Sequence, residues 1–137
     1  MNICPVHRDD LTAIFEMLQS ISNFYPKPNE YEKIWDSFLS QDHVFGFSFF
    51  IENEIVGYGA VVFEVKIRGG KMAHIEDIVV SEHHRSKGIG SKIIDFLEQE
   101  AKQKGCYKIS LSCKTKNILF YENCGFTSDG HTMTKIL

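Results

Sequence analysis

Apolar residues recur along this chain with two periods, and the switches between them lay out the elements in order. Leu11, Ile14, Phe15, Leu18 and Ile21 follow helical spacing, as do Tyr31, Ile34, Trp35, Phe38 and Leu39. Asp9 or Asp10 is placed to cap the first of these helices and Asn29 the second. The first helix is expected to end near Asn23, because Pro26 and Pro28 cannot continue it. The intervening segment, Phe24 to Tyr31, is aromatic and stiffened by proline, and reads as a packed connection or as one wall of a pocket. A short strand, Asn2 to Val6, precedes both helices.

The middle of the chain is strand-like. Val44 to Ile51 and Ile55 to Ile67 are rich in Val, Ile and Phe, and Glu52-Asn53-Glu54 between them predicts an antiparallel hairpin. Gly69-Gly70 breaks the run and Met72 to Val80 returns as the next strand. Helical spacing resumes with Ile93, Ile94, Leu97 and Ala101, stopped at Gly105. Cys106 to Cys113 reads as a strand, Lys116 to Cys124 as a short helix carrying Ile118, Leu119 and Tyr121 and stopped by Gly125. Phe126 to Leu137 reads as a last hairpin turning at Asp129-Gly130. This order predicts a single α/β domain over residues 1–137, with one mixed sheet and helices on its faces.

Composition narrows the class. With 137 residues, 43% of them hydrophobic and 24% charged, the chain has the make-up of a globular domain that buries a real core. The formal net charge of −3 argues against nucleic acid as a partner, since phosphate-backbone binding leaves a broad basic footprint. No apolar run approaches a membrane span, and the start MNICPVHRDD does not resemble a secretory signal, so a cytoplasmic location is expected. Cys4, Cys106, Cys113 and Cys124 lack CxxC spacing and read as buried, reduced thiols. His83-His84 are adjacent rather than four apart, and no metal site is assigned.

The chemistry concentrates in His74 to Gln99, HIEDIVVSEHHRSKGIGSKIIDFLEQ. A β-rich run feeds a polar turn and then a helix start, an arrangement that converges unpaired N–H groups and the positive end of the helix dipole on one point. Such a point holds a phosphate. The dinucleotide fingerprint GxGxxG fails at Ile93, and the phosphate loop GxxxxGK[ST] fails because Arg85 and Ser91 stand where its first glycine and its lysine belong. What remains is Arg85-x-x-Gly88-x-Gly90 after a hydrophobic strand carrying Glu76-Asp77. With strand before, helix after, and Asn117-Ile118-Leu119-Phe120-Tyr121-Glu122-Asn123-Cys124-Gly125-Phe126 downstream, the sequence resembles the GCN5-related N-acetyltransferases, whose pyrophosphate signature is [QR]xxGx[GA].

The resemblance implies that family's fold, a mixed and mostly antiparallel sheet flanked by about four helices. It also implies acetyl transfer from acetyl-CoA to a primary amine. The amides of Ser86, Lys87, Gly88, Ile89, Gly90 and Ser91 would take the pyrophosphate, with Gly88 and Gly90 keeping side chains out of the way and Arg85 and Lys87 adding charge. The pantetheine arm would pair with the backbone of Ile78, Val79 and Val80, the Val79 N–H polarising the thioester carbonyl, while Asn117 and Phe120 line it. Tyr121 would protonate the departing thiolate. An amine attacks only when neutral, so a base is needed; Glu76 and Asp77 are the acids on the right strand, and alternation is expected to put them on opposite faces. His74 is a second base candidate.

The acceptor is less defined. The members that share the HIEDIVV, GCYKI and FYENCGF runs carry an acidic residue where this chain has Ser112, and a serine is no base at neutral pH. The resemblance implies a small-molecule amine, an amino sugar phosphate such as glucosamine 6-phosphate among them. Lys66, Arg68 and Lys71 around Gly69-Gly70 are the group available for such a phosphate. An aminoalkylphosphonate, a protein amine, or a non-catalytic CoA-binding role are the other readings. Pairing of Phe126 to Leu137 across a twofold would make a homodimer.

Overall fold

The computed structural model describes residues 1–137. Strands β1 (Asn2–Pro5), β2 (Val44–Ile51), β3 (Glu54–Val65), β4 (Lys71–Val80) and β5 (Lys108–Leu111) form one sheet in the order β1-β2-β3-β4-β5. The first four are antiparallel to their neighbours and β5 runs parallel to β4. Helices α1 (Leu11–Leu18), α2 (Tyr31–Leu39), α3 (Ile89–Gln103) and α4 (Ile118–Asn123) complete the domain. The mixed sheet with four helices is the expected architecture. At the β2–β3 turn, Glu52 and Asn53 both adopt positive φ, 48° and 66°, the conformation that matches the twist of a two-residue hairpin.

The two faces of the sheet are covered differently. Ile93, Ile94 and Leu97 of α3 are fully buried against Val61, Phe63, Ala73 and Ile75, and each such side chain contributes roughly 1.5–3 kcal/mol of transfer free energy. The other face carries Tyr58, Ala60 and Val79 beneath Ile14 of α1. Helix α3 lies close to the strands because β3 offers glycine there. A Cβ on Gly57 would come within 2.8 Å of Ile93 Cδ1, and one on Gly59 within 2.9 Å of Ile93 Cγ2 and 3.1 Å of Leu97 Cδ1.

Several sequence expectations are corrected. Helix α1 ends at Leu18 rather than near Asn23, and Ile21 lies outside it, exposed. Each of the first two helices starts with a 3-10 turn: Asp10, one of the two expected caps, stands at the α1 N-cap position but its carboxylate accepts the His7 N–H at 2.9 Å, and Glu30, in place of Asn29, precedes α2 and accepts the Lys27 N–H at 2.6 Å. Phe24 and Tyr25 are not packed, with 67% and 54% of their surface exposed. The cysteines are free but none is buried, and Cys4 and Cys113 are exposed. Most consequential, Phe126–Leu137 forms no strand. Gly130 keeps the positive φ of a turn, but β5 offers an edge of only four residues, and Met133 and Ile136 stay exposed. One hydrogen bond, 2.7 Å between Ser112 Oγ and Thr132 Oγ1, ties this tail to the end of β5.

Overpacking at the α3–sheet contact sets the first prediction. Gly59→Ala is expected to lower stability by about 1–3 kcal/mol in chemical denaturation, because the atoms it meets are fully buried methyl groups. A midpoint equal to that of the parent chain would show that α3 lifts away freely.

Candidate functional site

The site is built on a register shift in β4. Glu76 pairs with Ala60 and Val79 with Tyr58, so Gly59 alone on β3 faces Asp77 and Ile78 together. The extra residue is Asp77, which takes a left-handed backbone at φ 55°, a conformation costing roughly 1–2 kcal/mol for a residue with a Cβ. Such a bulge re-aims the side chains beyond it. Ile75 and, past the bulge, Ile78 and Val80 all pack on the α3 side. Glu76 and Asp77 therefore both belong to the α1–α2 face, and the expectation that they point to opposite faces is corrected.

Beyond the bulge, β4 has a free edge. Strand β5 pairs with β4 from Met72 to Ile75 and ends there at Leu111, while β4 continues to Val80. The backbone of Glu76 to Val80 is thus left without a strand neighbour on that side, which is the geometry of a strand awaiting an extended ligand. Immediately after it, Glu82–His84 makes a 3-10 turn and Arg85 Nε donates to the Val80 carbonyl at 3.3 Å, folding the turn back over the strand end. Ser86 and Gly88 then adopt φ 62° and 76°, and α3 starts at Ile89 with no side chain capping it. The first amides of the longest helix are left for a ligand.

The two glycines of this turn have different tasks. Gly88 has empty space around its Cβ position and is required for its left-handed backbone. At Gly90, by contrast, a Cβ would lie 3.1 Å from the Phe120 ring, so its hydrogen allows α4 to dock on the start of α3. Cys124 Sγ meets Ser91 Oγ at 4.0 Å in the same contact. Asn117, Phe120 and Tyr121, all on α4 or its cap, are thereby brought beside the turn. Tyr121 stacks edge-on between Phe120 and Phe126, with centroids 4.9 and 5.9 Å away. Burial, with Cys113 and Cys124 close by, pushes its phenol up from the usual tyrosine range, so it keeps its proton at neutral pH.

On the α1–α2 face Asp77 lines a cavity of about 180 Å³ together with Ile14, Phe15, Trp35, Phe38 and Tyr58 among others. Although Asp77 is exposed as a residue, the apolar wall removes part of the hydration of its carboxyl and pushes its proton affinity up, with no cation or donor of the chain opposing it. Burial, and secondarily Asp77, holds the Tyr58 phenol far above its usual range. The sequence reading missed Tyr58 and Trp35 as site residues. Phe24 and Tyr25, by contrast, do not line this cavity.

The remaining candidates lie elsewhere. His74 Nε2 is held by Glu64 Oε1 at 2.9 Å, and the same carboxylate holds Lys66 Nζ at 3.0 Å. Lys71 lies over the Phe63 ring at 5.5 Å. Lys66, Arg68 and Lys71 surround the β3–β4 turn, at the opposite end of β4 from Val80, on the order of 30 Å along a strand of this length. They do not join the Arg85 turn in one site. No three His, Cys, Asp or Glu side chains are grouped to hold a metal, and no helix is long and apolar enough to cross a membrane.

Residues 11–126 match the sequence profile described as the acetyltransferase (GNAT) family. The chain belongs to that family. Among its relatives, glucosamine 6-phosphate N-acetyltransferase of Arabidopsis thaliana is 40% identical over 84 residues, covering 60% of this chain and 56% of that protein. Glucosamine 6-phosphate N-acetyltransferase 1 of Dictyostelium discoideum is 45% identical over 84 residues, 60% of this chain and 54% of that one. The matched stretch thus spans about half the length of these curated relatives. The crystal structure of glucosamine-6-phosphate N-acetyltransferase from Arabidopsis thaliana superposes with a TM-score of 0.88 at 30% identity, covering 98% of this chain and 97% of that one. GNAT enzymes use acetyl-CoA.

The Asp77 carboxyl yields a pH prediction. Its folded proton affinity lies above the ordinary aspartate value of 3.8, so between 3.8 and the higher folded value the native state holds more protons than the unfolded one. Stability therefore falls as pH rises through that window and stays lowered above it. Asp77→Asn removes the titration. Its melting temperature relative to the parent is expected to be higher at pH 7 than below pH 3.8, and a pH-independent difference would show that the carboxyl is fully hydrated.

Proposed function

We propose that the protein transfers the acetyl group of acetyl-CoA to the primary amine of a small molecule, by direct attack in a ternary complex. The observation that carries this reading is the free edge of β4, Glu76 to Val80, lying directly before the uncapped start of α3. One ligand bearing both an extended amide-containing arm and a pyrophosphate suits the two together. The amides from Ser86 to Ser91 would hold the pyrophosphate, with Arg85 and Lys87 adding charge. The edge of Ile78, Val79 and Val80 would pair with the arm as a further strand would.

The chemistry then assigns roles to the remaining residues. Asp77, with Glu76 on the same face, would receive the acceptor as its ammonium and take one proton, directly or through water. The neutral nitrogen attacks the thioester carbon, whose oxygen would be polarised by an outward main-chain N–H of the β4 edge; the Val79 N–H expected for this task turns instead toward Tyr58 on β3. As the C–N bond forms and the C–S bond breaks, the second proton leaves nitrogen and the phenol of Tyr121 supplies one to the sulfur. Products are the amide, the free thiol and one proton released to solvent. Asn117 and Phe120 would flank the arm from α4. No metal enters this scheme.

The relatives' names point to an amino sugar phosphate, glucosamine 6-phosphate, as the first acceptor to test. An aminoalkylphosphonate or a protein amine would be served by the same transfer chemistry, and a CoA-binding module without activity would keep only the turn and the β4 edge. We place the protein in the cytoplasm, where four unpaired cysteines, two of them exposed, stay reduced. The tail Phe126–Leu137, with Met133 91% and Ile136 89% exposed, is the segment we assign to pairing with a second copy of the chain.

Two variants test the reading. Gly88→Val forces a β-branched residue into the left-handed region and should weaken CoA binding by at least about tenfold in calorimetry while the domain stays folded, a cost on the order of 1–2 kcal/mol. Retained affinity would sink the pyrophosphate assignment. Tyr121→Phe, assayed as thiol release from acetyl-CoA with glucosamine 6-phosphate, is expected to lower kcat by about 100-fold with little change in KM for acetyl-CoA. An unchanged kcat would take Tyr121 out of the mechanism.

A further inference from the structure

The cavity between α1, α2 and the sheet is not explained by an amino sugar phosphate. Nine of its ten lining residues are hydrophobic, and the tenth is Asp77. Nothing in that wall is a cation for a phosphate, and the polar groups are too few for the hydroxyls of a sugar. Its volume, about 180 Å³, exceeds the roughly 150 Å³ of a dry, apolar cavity known to admit a benzene ring. Asp77 is the one charge among its lining residues, and it joins none of the chain's ion pairs. The bulge that holds it there in a left-handed backbone also sets it beside the free edge of β4. An apolar hollow closed by one unpaired carboxylate is complementary to a molecule with an apolar body and one ammonium.

We propose that this cavity binds the body of a primary amine carried on an aromatic or similarly sized hydrophobic arm, with Asp77 holding its ammonium, and that such amines are acceptors of the acetyl group. This rests on the reading of the chain as an amine acetyltransferase and extends it to an acceptor class other than amino sugar phosphates. Trp35 and Phe38, stacked at 6.1 Å and 19°, form the wall contributed by α2. The transfer is the one written above: the ammonium gives one proton to the base and one toward the thiolate, the C–N bond replaces the C–S bond, and no further reactant is required.

The chain's single tryptophan lines the cavity and reports directly on it. Titration of the purified protein with 2-phenylethylamine should give a saturable change in tryptophan emission, absent with ethanolamine and with glucosamine 6-phosphate at equal concentration. Asp77→Asn should weaken that binding at least about tenfold, as loss of a charge-assisted contact does. Leu18→Phe, which fills the cavity from α1, should weaken it by a similar factor and leave acetyl-CoA affinity unchanged. A wild-type response that is absent, or equal for ethanolamine, or indifferent to both variants, overturns the proposal. Thiol release separates the two readings. If glucosamine 6-phosphate is acetylated while 2-phenylethylamine neither perturbs Trp35 nor releases thiol, acetyl transfer stands and this inference falls. If 2-phenylethylamine fills the cavity but no amine releases thiol, the ligand class stands and the reaction assigned to the protein falls.

Discussion

One extra residue in β4 organises the functional half of this molecule. Because Asp77 is inserted opposite Gly59, the residues after it change sides: Ile78 and Val80 join the α3 core, while Val79 turns to the α1 face. Pairing with β5 stops at Ile75, the last residue before the two acids. A bulge increases local twist and bends its strand, which separates the end of β4 from the chain after Leu111. The re-aimed side chains beyond the bulge and a carboxylate in a rarely occupied conformation that lines the apolar cavity are therefore two outcomes of a single insertion.

Helix α3 links that edge to the rest of the domain. Its buried face, Ile93, Ile94, Leu97 and Ala101, is the centre of the core, while its N-terminus has no side-chain cap and is the anion site proposed above. The same rigid body thus fixes the position of the Arg85–Gly90 turn relative to the sheet. Gly57 and Gly59 set how closely the helix approaches the strands, and Gly90 sets how closely α4 approaches the helix. Tyr121 inherits its place from that second contact. Small residues at three points decide where the larger, functional ones stand, because close-packed interiors transmit displacement rather than absorb it.

Much of this was legible in the sequence, and the failures have specific causes. Helical and strand periods located every element up to Gly125, and the Arg85-x-x-Gly88-x-Gly90 turn fell where strand and helix meet. The bulge itself had a signature that strict alternation overrode: Ala73, Ile75, Ile78 and Val80 all face α3, and the step of three between Ile75 and Ile78 breaks the period of two. The cavity was not legible, because Tyr58 and Trp35 read as ordinary core residues until three elements converge on them. The last hairpin failed for a different reason. Alternation and an Asp-Gly turn state a preference for strand, but a strand forms only where a sufficient edge and an apolar surface are available to it, and β5 is an edge of four residues only.

The energetics of Asp77 tie fold to function. Its backbone is strained by an amount of order 1–2 kcal/mol, and its carboxyl gives up hydration to an apolar wall without gaining a partner in the chain. Both terms weigh against the free protein. A cation placed against that carboxyl reverses the second term while the first is already spent in the fold, so the conformation need not be assembled on binding. That is the condition under which preorganisation favours one ligand chemistry over another. A neutral ligand leaves the carboxylate as poorly solvated as before, and an anion worsens it. In the acceptor site proposed above, the position of one aspartate on a bulged strand would thus favour an amine over a neutral or anionic ligand.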